Sequence, residues 1–274
     1  MPIASDRRGR PGGLAAMLAL VIYCLPSLAD GPRTVSLAPH LTELVFAVGG
    51  EDQLVGVVEH SDFPEAAQAL PRIGDAFRFD LEAILTLDAE LALAWTGGTP
   101  PAVADSLESL GIEVLWIETR RLEQIPAALR NLASALGEEA GGEQAAIEFE
   151  QTLAGLRARR PLHSPPVKVF YQVSARPLYT LGGRHIFNDV LDLCGMQNVF
   201  AGLDVEAAVV DREAVLAAEP ELMLAAEGED QAFADWLAGP LASVRHRRVD
   251  PDRLMRPTPR ILDGARDLCH LTRP

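Results

Sequence analysis

Asp80-Leu81-Glu82-Ala83-Ile84-Leu85, running on to Glu90-Leu91-Ala92-Leu93-Ala94, returns as Asp211-Arg212-Glu213-Ala214-Val215-Leu216, running on to Glu221-Leu222-Met223-Leu224-Ala225. The offset is constant, since 211 − 80 and 222 − 91 both equal 131. Each copy reads as a helix followed by a short apolar strand. An ungapped echo of this length predicts two similarly built lobes rather than one continuous sheet, and clefts between lobes are where ligands bind. The competing reading is coincidence, because Ala, Leu and Glu are abundant here.

Outward from the first copy, Thr34 to Leu37, Leu54 to Val58, Leu91 to Trp95 and Val114 to Ile117 read as strands. Thr42 to Val48, Leu81 to Leu87 and Ala102 to Leu110 read as the helices between them. That alternation predicts a mostly parallel sheet covered on both faces. From Leu122 to Arg160 the strand signal stops, leaving helix formers interrupted at Gly137 and Gly141-Gly142 and halted by Pro161 and Pro165-Pro166. A long helix there would hold two lobes at a fixed spacing and hinge less than paired strands would. Beyond it, strands at Val167 to Val173 and Leu222 to Ala225, with helices at Ile186 to Leu193, Ala214 to Ala218 and Pro259 to Leu271, predict a second α/β lobe. The expected division is residues 1–29 as an export signal, 33–120 as the N-terminal lobe, 121–165 as the helical linker and 166–274 as the C-terminal lobe.

The export signal is read from a basic start (Arg7, Arg8, Arg10), an apolar run from Leu14 to Leu25, and the small residues of Ser27-Leu28-Ala29. Cys24 raises lipidation as an alternative, but bulky Tyr23 precedes it, which favours cleavage near Ala29. Without residues 1–29, three Arg and one Asp are lost, so the charge moves from 24 − 39 = −15 to 21 − 38 = −17. Nucleic acid is therefore an unsuitable partner. Only Cys194 and Cys269 then remain. In an oxidising compartment an even pair reads first as a disulfide, with two buried thiols as the alternative.

The chain has no Gly-rich phosphate loop ending in Lys-Ser/Thr, no His-Glu-x-x-His helix and no Gly-x-Ser-x-Gly elbow, which weighs against catalysis. His40, His60 and His185 fall in loops or helix starts expected to face the cleft, where a metal or a haem iron could take a nitrogen. His163, His246 and His270 read as peripheral. Trp95 ends a strand and precedes Gly97-Gly98, which places it at a sheet's carboxyl edge. Trp116 and Trp236 read as core residues.

Ser36-Leu37-Ala38-Pro39 followed by Thr42-Glu43-Leu44, then Val55-Gly56-Val57, Ser61-Asp62-Phe63-Pro64 and Ala94-Trp95-Thr96-Gly97-Gly98, resembles the periplasmic cobalamin-binding proteins of ABC importers. The likeness continues through Leu110-Gly111-Ile112, Leu193-Cys194-Gly195, Asn198-Val199-Phe200, Arg212-Glu213, Pro259-Arg260-Ile261 and Leu268-Cys269, so it covers nearly the whole chain in order. The resemblance implies an α/β fold of the helical-backbone class: two Rossmann-like lobes joined by a single long helix, with a corrinoid held in the cleft between them. It implies ligand contacts at Pro39, Phe63, Trp95 and Tyr179. It also implies docking onto arginines of the importer's permease through Glu82 and Glu213, themselves equivalent in the repeat because 213 − 82 = 131. Both also read as ordinary first-turn carboxylates favoured by the helix dipole. Two pocket tryptophans of the family fall on Ala76 and Ala207, with Phe77 or Phe79 as candidate substitutes. The resemblance implies no catalytic cofactor, a periplasmic location and attachment to the membrane only through the permease. A haem, ferric-siderophore or metal-ion receptor using His40, His60 or His185 is the alternative in the same fold, and an α/β enzyme the alternative of another class.

Overall fold

The computed structural model describes Met1 and residues 31–75, 78–161, 165–228 and 232–271. The export signal, its cleavage near Ala29, Ala76, Phe77 and His163 lie outside the described residues. The first lobe runs β1 (Thr34–Ser36), α1 (Pro39–Val48), β2 (Leu54–Val57), α2 (Leu81–Thr86), β3 (Leu91–Trp95), α3 (Pro101–Ser109) and β4 (Glu113–Ile117). Its strands form one all-parallel sheet in the order β2-β1-β3-β4. Two helices follow, α4 (Ile125–Leu136) and α5 (Glu139–Ala158). The second lobe runs β5 (Val167–Gln172), β6 (Ser174–Ala175), β7 (Leu178–Leu181), α6 (Phe187–Leu193), β8 (Met196–Asn198), β9 (Ala207–Val209), α7 (Arg212–Ala218), β10 (Leu222–Ala226), α8 (Ala234–Leu237), β11 (Arg245–Val249), α9 (Pro251–Met255) and α10 (Ile261–Leu271). Its main sheet, β11-β10-β5-β8, is also all parallel.

The echo in the sequence is an echo in space. Reading β5, β8, β10 and β11 as counterparts of β1, β2, β3 and β4, the two sheets have one strand order. Asp80 and Asp211 cap α2 and α7, each accepting an N–H through Oδ1, from Ala83 at 2.9 Å and from Ala214 at 2.7 Å. Asp88 and Glu219, again 131 apart, both turn the chain out of the helix with left-handed φ of 49° and 50°. Glu90 and Glu221, each one residue before its strand, act identically: each carboxylate accepts a backbone N–H near the start of the neighbouring strand, from Arg33 or Lys168, at 2.9 Å. Those two residues send their cationic side chains to the departing helix, Arg33 to the Leu87 carbonyl and Lys168 to the Ala218 carbonyl. Cations belong at helix C-termini, where carbonyls lack partners.

Gly141 and Gly142 do not interrupt the linker; they lie inside the 20-residue α5. A Cβ on Gly141 would sit 2.1 Å from the Val48 carbonyl oxygen, and one on Gly142 2.2 Å from the Ala133 Cβ. The pair lets α5 press directly onto the end of α1 and onto α4. Phe149 and Leu153 of α5 join one continuous core with Leu44 of α1, Leu129 of α4, Leu191 of α6 and Leu268 of α10. The lobes therefore share apolar packing along the helix that joins them. Trp236 is a core residue, 3% exposed, but Trp116 is 37% exposed because β4 is the edge strand of its sheet and that side chain points outward.

The second lobe adds what the first lacks. β6, β7 and β9 form a small antiparallel sheet, spliced in around α6. Cys194, at the end of α6, is disulfide-bonded to Cys269 of α10, with Cα atoms 4.7 Å apart.

Candidate ligand-binding site

A cavity of about 300 Å³ lies between the lobes. From the first lobe it takes His40, just after β1, Trp95 at the end of β3, and Thr119 and Arg120 just after β4. From the second it takes His185 and Glu206, which lie between β7 and β9, and Asp252, Met255 and Arg256, which follow β11. His40, Trp95, Thr119 and Arg120, with the residues after β11, lie at or just after the carboxyl ends of parallel strands, where open α/β sheets place ligands.

Trp95 is seated by the two glycines after it. A Cβ on Gly97 would fall 2.5 Å from the indole, and one on Gly98 2.4 Å from it, so only bare backbone allows the ring to lie there. The Trp95 N–H donates to Thr99 Oγ1 at 2.9 Å, closing the turn. The His40 ring meets the indole edge-on, with centroids 5.1 Å apart. Burial pushes the His40 pKa down to about 3, and the Arg256 charge adds to the effect. His185 is also held down, to about 4, by burial. Its Nδ1 accepts the Phe187 N–H at 3.1 Å, so the imidazole starts α6. Both histidines are neutral at neutral pH.

One wall of the cavity is a segment that leaves the second lobe and crosses to the first. Glu43 of α1, its side chain 2% exposed, accepts from Arg256 at 3.0 Å, from Arg260 at 2.6 and 2.9 Å, and from Thr258 Oγ1 at 2.9 Å. Arg256 also reaches Asp62 at 3.0 Å, Asp252 at 2.8 Å and the His60 carbonyl at 3.3 Å. Burial works against the Arg256 charge, but the hydrogen bonds to Glu43 and Asp62 and the charges of Asp252 and Glu43 outweigh it and raise its pKa. A reciprocal crossing exists after β4. There the Leu122 N–H donates to Asp189 of α6 at 3.0 Å, and Arg121 pairs with the same carboxylate at 2.8 Å.

The expected contacts are brought together only in part. Trp95 faces the cavity. Pro39 begins α1, one residue before His40, and is partly covered. Phe63 is 41% exposed with the Arg260 guanidinium stacked 3.8 Å from its ring centroid, so it sits against the crossing segment. Tyr179 is 37% exposed on β7 opposite Val209 and does not line the cavity, nor does Ala207 on the neighbouring strand. Phe79 packs into the first lobe's own core. His60 is exposed, and its carbonyl accepts from Arg256. Glu82 and Glu213 are both exposed in the first turns of α2 and α7. Among the described residues no group of three or more His, Cys, Asp or Glu is arranged to hold a metal ion, and no helix is long and apolar enough to cross a membrane.

Sequence reading missed Glu43, Thr119, Arg256 and Arg260 as site residues. Glu43 carried a signal: a carboxylate between Leu41 and Leu44 on an apolar helix needs a buried partner.

Residues 35–238 match the periplasmic binding protein family, and the chain belongs to that family. It is 35% identical to the vitamin B12-binding protein of Yersinia pestis over 258 residues, 93% of this chain and 91% of that one. The crystal structure of the periplasmic vitamin B12 binding protein BtuF of Vibrio cholerae superposes with a TM-score of 0.78 at 34% identity, over 87% of this chain and 95% of that one. A periplasmic heme binding protein from Pseudomonas aeruginosa gives 0.76 at 27% identity, over 88% and 92%.

Proposed function

We propose that the chain is an exported receptor that captures a corrinoid, cobalamin or a precursor, in the cleft between its lobes and delivers it to the permease of an ABC importer, with no chemistry of its own. Residues 33–120 and 166–274 would be the two lobes and 121–165 the linker, after loss of the first 29. The observation that carries the reading is the cleft itself: a glycine-seated Trp95 at the carboxyl edge of one sheet, facing a second lobe, in a chain whose relatives are vitamin B12-binding proteins. A corrin is a broad apolar disc fringed by amides, which suits an aromatic face. At about 300 Å³ the cavity admits an edge of such a disc, so capture widens the gap between the lobes. Pro39, Phe63 and Tyr179 would meet the ligand around that opening. Haem is the second reading, supported by the P. aeruginosa likeness and by neutral His40 and His185 at the cavity.

The test is co-elution. Purified mature protein is incubated with cyanocobalamin, cobinamide, haemin or a ferric siderophore, passed through a sizing column and read by visible absorption. Stoichiometric corrinoid in the protein peak is expected; haemin or siderophore alone would replace the reading. Glu82 and Glu213 would act after capture. Glu82→Ala and Glu213→Ala should leave corrinoid binding unchanged and weaken association with the permease in lipid, more at low salt than at moderate salt, with the double variant weakest.

A further inference from the structure

Phe63 is a large apolar side chain left 41% exposed, yet its ring is held in place. The Arg260 guanidinium carbon lies 3.8 Å from the ring centroid, well within the range of a cation–π contact. The bonds that Arg260 makes elsewhere decide which partner holds which. It donates side-on to Glu43, from Nε at 2.9 Å and from Nη2 at 2.6 Å, so its plane is set by a carboxylate whose side chain is 2% exposed. Glu43 is fixed in turn by Thr258 Oγ1 at 2.9 Å and by Arg256 at 3.0 Å. The planar fork of an arginine paired in this way has a defined orientation. The Phe63 ring has no polar atom to anchor it. In this stack the guanidinium is therefore the fixed member and the ring the one positioned. The chain beside the ring is gripped from the same segment: Arg256, which lines the cavity, reaches the Asp62 carboxylate at 3.0 Å and the His60 carbonyl at 3.3 Å. A segment arriving from the second lobe thus shapes a loop of the first at the cavity wall.

We infer that Arg260 is a positioning residue, which acts on the ligand through Phe63 by holding that ring ready at the rim of the cleft. An exposed aromatic side chain on a loop must give up torsional freedom when a ligand reaches it. A ring already stacked has lost that freedom beforehand, which lowers the ordering cost of binding. The stack covers part of the ring and leaves the remainder exposed to meet an apolar surface. It also ties recognition to the placement of the lobes, because the guanidinium belongs to the crossing segment and the ring to the first lobe. The inference rests on the corrinoid reading above, which supplies Phe63 as a ligand contact, and it adds a residue that acts without touching the ligand.

The experiment is a double-mutant cycle read by titration of cyanocobalamin into the mature protein, Arg260→Lys, Phe63→Ala and the double variant. Lysine keeps a cation beside Glu43 but lacks the planar face. Arg260→Gln, which keeps a donor for Glu43 without the charge, is run in parallel, alone and with Phe63→Ala. Thermal midpoints establish that each protein is folded at the temperature of titration. Phe63→Ala should weaken binding about tenfold and Arg260→Lys about fivefold. Each double variant should bind like Phe63→Ala alone, because without the ring Arg260 has nothing to position. An arginine that serves only to hold the crossing segment would instead give losses that multiply, to about 50-fold for Arg260→Lys with Phe63→Ala, and that result overturns the inference. So does unchanged affinity in both Arg260 variants, or in Phe63→Ala; each of these leaves the corrinoid reading intact as long as wild type binds cyanocobalamin. Absence of binding by wild type overturns both.

Discussion

Glu43 on α1 and Asp189 on α6 are each held by a segment crossing from the opposite lobe, yet the two clasps differ sharply in burial. Glu43 is 2% exposed and its partners Arg256 and Arg260 are 13% and 20% exposed. Asp189 is 10% exposed, but its partner Arg121 is 62% exposed. The consequence is visible in Asp189, whose pKa burial raises in spite of the Leu122 N–H and the Arg121 charge. A solvated arginine compensates little, whereas a sealed one compensates a great deal. Both crossing segments line the cavity, the heavier clasp through Asp252, Met255 and Arg256 and the lighter through Thr119 and Arg120. The repeated parts of the chain hold two equivalent frames, and the parts that depart from the repeat build the site.

The sharpest break in the lobes' equivalence is the Cys194–Cys269 bridge, present between α6 and α10 and without a counterpart between α1 and α4. Closing a loop of 75 residues stabilises by about 4 kcal/mol in the chain-entropy model. Reduction, or Cys194→Ala with Cys269→Ala, should lower unfolding stability by that order in denaturant titration, with loss focused on the second lobe in hydrogen exchange. Protection lost equally from both lobes would mean that the shared core along α5 makes them one cooperative unit.

Next is the clasp pair. Glu43→Ala leaves two largely buried arginines facing each other and should cost about 3 kcal/mol, while Asp189→Ala should cost about 1 kcal/mol or less. Equal losses by chemical denaturation would contradict the burial argument.

Acid should separate the lobes' two histidines. His40 and His185 have folded pKa values depressed to about 3 and about 4, below the ordinary 6.5. The unfolded chain therefore binds more protons than the folded one across that window. Their contribution is fully present above pH 6.5 and is lost as pH falls toward 3 to 4, at about 1.4 kcal/mol per unit for a fully buried group. His40→Phe should flatten this slope between pH 6.5 and 4.5 in thermal unfolding; an unchanged slope would place the acid sensitivity elsewhere. Smallest are the repeated caps: Asp80→Ala and Asp211→Ala should each cost about 1 kcal/mol, and a clear inequality would weaken the equivalence of the two frames.

The repeat was legible because everything that makes it is local. Asp80 caps a helix three residues on, and the same few residues recur around Asp211. The helical character of the stretch after β4 was legible too, but not the role of Gly141-Gly142, since composition alone cannot distinguish a break from a close helix contact. The antiparallel insert was missed because its strands run two to four residues, too short for a periodic signal. The crossing segment was missed for the opposite reason. Arg256 meets Glu43 across 213 residues of sequence, and no local pattern announces a partner that far away.

A cleft at Trp95 that takes a single corrinoid must show it in both stoichiometry and affinity. The direct measurement is calorimetric titration of cyanocobalamin into the mature protein and into Trp95→Ala, with thermal midpoints of both. One-to-one binding by wild type is expected, with the variant weaker by about 2 kcal/mol and nearly unchanged in stability, because the indole lends its face to the ligand more than to the core. Unchanged affinity in a destabilised variant would make Trp95 a packing residue and contradict the account.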